Sequence, residues 1–272
     1  MPGPNDGVPP AAGAPTSPRP LSSVPGYLAE RWRGIGLSLV VVVGTIWLGV
    51  TGQLGLYIHP RYFVFTVVMA ALGLMFVVAS FVVRTPAGAG PLSARRGALA
   101  LTGSGLLLTI AAIAVLGLPP ATLTSATATQ REVNSGGLDS EASSAQAAAL
   151  VGTGDYERLS VKEWVSLLAQ SSDPGLYADK TARVTGFVLP DAADPDNVFY
   201  VARFVVTCCA VDAQPIGLAV FQPGWKASYD TDDWVEVTGT FRPNPSVRST
   251  DALALQPTDI TPVEQPSDPY VY

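Results

Sequence analysis

Histidine and cysteine are nearly absent from this chain. Its 272 residues hold one His, His59, and two Cys, which are neighbours, Cys208-Cys209. With no C-x-x-C there is no thioredoxin-like or zinc-ribbon signature. No G-x-x-x-x-G-K-[ST] loop and no dinucleotide fingerprint occur, which argues against ATP use and nicotinamide chemistry. Charge is also scarce, at 14%. It is missing altogether from Gly34–Pro60, Tyr62–Val83 and Gly97–Gln130.

A hydrocarbon core of about 30 Å needs about 20 residues of helix, and each uncharged stretch is that long. The expected membrane region is therefore 31–120, with spans near 35–58, 62–83 and 97–118. Residues 1–30 precede it. Met1–Gly26 is mostly Pro, Gly, Ala and Ser, too poor in large apolar groups to offset ordering entropy, so a disordered cytoplasmic tail is expected. The first apolar run exceeds the 7–15 residues of a signal-peptide core and follows a long Pro-rich stretch, which predicts an uncleaved helix. Arg31 and Arg33 flank span one, and Arg84, Arg95 and Arg96 lie between spans two and three, whereas His59-Pro60-Arg61 carries one Arg. The positive-inside rule then puts the N-terminus in the cytoplasm and everything after span three outside, in a multi-pass protein of the cell membrane. His59 reads as a polar residue ending a helix at the interface, or as a proton or metal contact there. Pro60 suits a tight reversal.

The charge changes sign along the chain. Up to Pro120 there are seven basic and two acidic residues, and beyond it nine and twenty, a net of −11. Residues 121–155 are rich in Ala, Thr, Ser, Gly and Gln and read as a flexible linker. Ser160-Val161-Lys162-Glu163 is a capping box, followed by Trp164, Leu167 and Leu168 on one helix face. The period then becomes two over Ala182–Leu189, Val198–Thr207, Ile216–Phe221 and Trp234–Phe241. A fifth run, Ala252–Ile260, contains Pro257 and suits an edge strand. One helix and five short strands within 156–265 predict a small, mainly-β extracytoplasmic domain, an oligonucleotide/oligosaccharide-binding (OB)-like barrel with one flanking helix, before a tail at 266–272. Phe187, Phe199, Tyr200 and Phe204 read as core, because so acidic a domain lacks the cations that phosphate binding needs; no nucleic-acid partner is expected.

The paired cysteines admit three readings: two small packed residues at a strand end, a soft-metal site with Asp212, or a vicinal redox pair. On one strand Cys208 and Cys209 would point to opposite faces, so convergence of the sulfurs requires a turn. Zinc prefers four ligands, and the β-domain has no His to supply one. Arg203 would stand about 16 Å from Cys208 on an extended strand, so a salt bridge to one of the many acids is expected for it.

The segment from Arg203 through Cys208-Cys209-Ala-Val-Asp212 to Pro215 resembles the twin-cysteine domain of the YcgQ-like family of bacterial membrane proteins, described as subunits of a two-component permease complex. His59-Pro60-Arg61, Val184-Thr-Gly-Phe187 and Val237-Thr-Gly-Thr240 are similar to that family too, over roughly Gly34–Thr261. The resemblance implies a membrane anchor and an outer domain working beside a separate multi-span permease subunit. It maps the motif onto Arg203, Cys208, Cys209, Asp212 and Pro215. Cys208, Cys209 and Asp212 are the candidate ligands of a zinc or copper ion.

Three functions stand open at this point. The expected one is a non-catalytic accessory subunit in membrane lipid, whose outer domain captures or gates a substrate, including a soft metal ion. The alternatives are an envelope thiol redox enzyme or sensor, and a structural envelope interaction protein.

Overall fold

A computed structural model describes residues 24–82, 106, 109–114, 117, 121–135, 151, 154–177 and 180–272. Helix α1 (Val24–Val50) ends where Gly52 takes a left-handed conformation, φ 75°, that only glycine adopts without cost. A 3-10 turn follows at Gln53–Leu56, so the first apolar stretch leaves the helix at Val50 rather than Ile58. A second 3-10 turn, Pro60–Tyr62, opens helix α2 (Phe63–Val82). His59 caps that turn, its Nδ1 accepting the Arg61 N–H at 3.1 Å. The two helices lie close together: Gly49 faces Val67, and Gly73 faces Val42.

Three spans were expected; among the described residues one segment, Pro60–Ala79, is long and apolar enough to cross a membrane. The apolar part of α1, Ile35–Val50, is shorter. Most of the expected third span, and all of 1–23, lie outside the described residues; residues 109–114 are helical.

The C-terminal half is mainly β, with one flanking helix. Residues 121–135, expected as flexible linker, are docked on it around the one-turn helix α3 (Ser125–Ala128). Ser125 donates its N–H and hydroxyl to the Asp232 carboxylate at 2.6 and 2.7 Å, and Ala128 is buried. Helix α4 (Val161–Gln170) carries the expected capping box, Glu163 accepting the Ser160 N–H at 2.6 Å.

Six strands follow: β1 (Thr181–Pro190), β2 (Val198–Val205), β3 (Gln214–Phe221), β4 (Trp234–Pro243), β5 (Leu253–Pro262) and β6 (Tyr270–Val271). They run in the order β1-β4-β5-β3-β2-β6, and β1 also pairs with β2, so five strands form a closed circuit of pairings. Strand β1 changes partner at Phe187, bonding β4 over Thr181–Phe187 and β2 over Phe187–Pro190. Gly186 permits the crossing, because a Cβ there would lie 2.5 Å from the Ala202 carbonyl oxygen. Strand β5 lies between β4 and β3 rather than at an edge. Pro257 is tolerated because the β4–β5 register shifts between Thr238 and Gly239, directly opposite it. Within the expected tail, Tyr270–Val271 form the two-residue strand β6, pairing in parallel with Phe204 and Val205 of β2.

All five strands of the circuit give alternate residues to one core, including Val184, Phe199, Leu218, Val237 and Leu255, closed by Trp164 of α4. The other residues of β2 are buried as well, because Leu123, Val133, Tyr270 and Leu56 cover its second face. The expected core aromatics Phe187, Phe199, Tyr200 and Phe204 are all buried. Between β3 and β5 only Val220 and Leu255 pair. There Asn134, at φ 62°, completes the bonding of β3: its side-chain carbonyl accepts the Gly217 N–H at 2.9 Å, and its amide donates to the Gly217 carbonyl at 3.0 Å.

Gly239 has backbone of Gln256 and Pro257 against the place of a side chain. Gly239→Ala should therefore cost about 1–3 kcal/mol of stability and lower the melting temperature followed by circular dichroism. An unchanged melting temperature would contradict the close β4–β5 approach.

Candidate metal centre

Strand β2 stops at Val205, and the chain turns through Thr207–Ala213 before β3. Val206 and Ala213, both buried, pin the ends of this loop, and the Asp212 N–H donates to the Cys209 carbonyl at 3.0 Å. One side chain shapes the interior. The Asp212 carboxylate accepts the backbone N–H groups of Thr207 at 3.1 Å, Cys208 at 2.7 Å and Cys209 at 3.3 Å. Consecutive N–H groups gathered on a carboxylate force the backbone out of strand geometry. The two sulfurs, which a strand would send to opposite faces, are thereby brought to 3.5 Å. This is the turn that convergence of the sulfurs requires.

Both cysteines are free thiols, Cys208 exposed and Cys209 half-exposed, which removes the reading of two buried inert residues. The Asp212 carboxylate, accepting a hydrogen bond from the Cys208 thiol, pushes that thiol's pKa up to about 12, with Cys209 adding to the effect. Partial burial works to raise the Asp212 carboxyl, but its bonds to the Cys208 thiol and to three backbone N–H groups outweigh this and hold it below its ordinary value.

The thiols and the carboxylate place their ligand atoms within 4.8 Å of one another. Two thiolates sharing a tetrahedral ion at Zn–S bonds of about 2.3 Å would lie about 3.8 Å apart, close to the observed separation. Asp212 spends three of its roughly four acceptor sites on backbone N–H groups. It can give an ion one weak contact, so most of the binding capacity rests on sulfur.

The loop does not stand alone. The turn between α1 and α2 lies beside it as a short antiparallel partner. Ile58 pairs with Cys209, the His59 N–H donates to the Cys208 carbonyl at 3.0 Å, and the Ala210 N–H donates to the Tyr57 carbonyl at 2.8 Å. The chain end holds the same turn: the Tyr272 hydroxyl donates to the Gly55 carbonyl at 3.0 Å, and its ring stands 4.9 Å from His59, edge to face. Partial burial and the nearby Arg61 and Lys162 push the His59 imidazole below its ordinary pKa, against the opposing charge of Asp212. From the other side Arg131 donates to the Val211 carbonyl at 2.8 Å.

Of the motif residues, Cys208, Cys209 and Asp212 come together; Arg203 and Pro215 stand apart. The Arg203 guanidinium donates to the carbonyls of Thr185 and Asp268, each at 2.8 Å, and lies 5.0 Å from the Trp234 ring centroid. Its partners are two main-chain oxygens and an indole face instead of the expected acid. Pro215, on β3, opposes Phe204 of β2, and its carbonyl accepts the Asn134 N–H. Both fix the strands that carry the loop. His59, a candidate proton or metal contact from the sequence, is brought beside the cysteine loop by its backbone bond to Cys208, a link that sequence spacing cannot show.

Residues 142–272 match the family model described as the DUF1980 C-terminal domain. No curated protein and no solved structure matches the chain.

With its thiol donating to Asp212, Cys208 should react slowly with iodoacetamide at pH 8, since thiolate is the nucleophile. Asp212→Asn removes the charge that opposes ionisation and should speed alkylation, read by mass spectrometry, about tenfold or more. Equal rates would show that the carboxylate does not control the thiol.

Proposed function

We propose that this chain is a non-catalytic, membrane-anchored accessory subunit of a two-component permease. Its OB-like outer domain captures or gates a soft metal cation, zinc or copper(I) being the chemistry best suited to its donors. The observation that carries this reading is the pair of thiols held at 3.5 Å beside Asp212, on a loop bonded to the turn that leads into the apolar helix. A capture site fastened to the foot of a membrane helix is where a cation would be handed to a transport path.

Several observations support the rest. The five-strand circuit of pairings has the connectivity expected of an OB-like barrel. The domain match over 142–272 is in keeping with the YcgQ-like resemblance. Val64, Phe65, Phe76 and Val41 turn large apolar side chains outward from α1 and α2, as contact with lipid or with another membrane subunit requires. With the three spans expected from the sequence, the positive-inside rule would keep Arg84, Arg95 and Arg96 in the cytoplasm and carry the acidic domain outside the cell. There its charge raises the local cation concentration. The apolar helices offer no polar path of their own, so the pore belongs to a multi-span partner. A thiol enzyme is the weaker reading: Cys208 is held protonated rather than activated, and Arg203 is bonded elsewhere.

Affinity purification of the tagged full-length protein from its native membrane should recover a multi-span membrane protein. Elemental analysis should find zinc or copper that the double variant Cys208→Ser, Cys209→Ser loses. Recovery of the protein alone and free of metal contradicts the proposal.

A further inference from the structure

We propose that His59 is the nitrogen ligand that completes the thiol site, so that a bound soft cation is held jointly by the turn between the two helices and by the β-domain. This rests on the metal reading above and extends it to a residue from a different part of the chain. Two thiolates and one weak carboxylate contact fall short of the four ligands that such ions prefer. The chain's one histidine, its backbone N–H bonded to the Cys208 carbonyl, carries a soft-to-intermediate donor beside the loop.

The register supplies the placement. Ile58 opposes Cys209 in an antiparallel pairing, so the next step along the same register sets His59 opposite Cys208, with its N–H on the Cys208 carbonyl. This hydrogen bond keeps the two residues adjacent along the backbone, and Cys208, bent toward Asp212, is released from the alternation of a regular strand. An imidazole and a thiol on such a pair can reach one ion between them.

The imidazole nitrogens stand outside the 4.8 Å cluster of Cys208, Cys209 and Asp212. Ligation therefore requires the ring to turn toward the thiols. Little holds it back: Nδ1 accepts one exposed hydrogen bond, 3.1 Å from the Arg61 N–H. That N–H belongs to the first turn before α2, where water serves equally well as an acceptor. Turning exchanges this bond for the cation, and Nε2 keeps its proton. The ring leaves an edge-to-face contact with Tyr272, whose hydroxyl is bonded to Gly55 in the same turn.

The test uses the full-length protein in detergent with Co²⁺ as the probe. Wild type should show thiolate-to-cobalt charge-transfer absorption and, by X-ray absorption, scattering from one imidazole. The chosen variant is His59→Asn, because an Asn side-chain oxygen can still accept the Arg61 N–H and leave the turn intact. It should keep the melting temperature, lose the imidazole signature and bind Co²⁺ about tenfold or more weakly. Unchanged affinity in His59→Asn, or sulfur-bound cobalt with no imidazole in wild type, overturns the His59 assignment while leaving the thiol site standing. No thiolate-to-cobalt band in wild type overturns both.

Discussion

Everything distinctive in this molecule depends on one short pairing, the Tyr57–His59 turn laid against Cys208–Ala210. Two backbone hydrogen bonds and one residue pair are a modest contact, each bond contributing about 1 kcal/mol. The contact matters through what it joins. On one side is the segment that opens an apolar, outward-facing helix. On the other is a loop whose thiols converge because Asp212 has gathered three N–H groups. Flanking contacts reinforce it: Leu56 packs on the second face of β2, Tyr272 reaches Gly55, and Arg131 braces Val211.

The β-domain presents this loop rigidly. Strands β2 and β3 run antiparallel from Val198–Phe221 to Val205–Gln214, directly up to the loop, and β2 is buried on both faces. The loop is thus an exposed chemical group on a well-packed support, the arrangement that makes a binding site reproducible. Arg203, stacked on Trp234 and tied to β1 and to Asp268, belongs to that support.

Much of this was legible in the sequence because it is local. The capping box at Ser160 and Glu163, the five alternating runs and the core aromatics each depend on residues a few positions apart. That the two sulfurs could converge only through a turn at Cys208-Cys209 followed from strand geometry. What was not legible depends on distant contacts. Pro257 pointed to an edge, yet a register shift opposite Gly239 lets it sit between two strands. Residues 121–135 have linker composition, but Asn134 and Ala128 find places on β3 and the second core. The uncharged run to Ile58 read as continuous helix, and Gly52 ends it at Val50. His59 and Cys208 are too far apart in sequence for spacing to connect them.

The pairing itself can be trapped. In the double variant Ile58→Cys, Cys208→Ser, position 58 stands directly opposite Cys209, and mild oxidation of the full-length protein in detergent should close an intramolecular disulfide between the two. Peptide mapping under non-reducing conditions reads it. Near-complete cross-linking within one chain is the predicted result. Two positions that remain alkylatable, or that join only between chains, would mean that the helix-connecting turn and the thiol loop are not neighbours, and the shared site would have no physical basis.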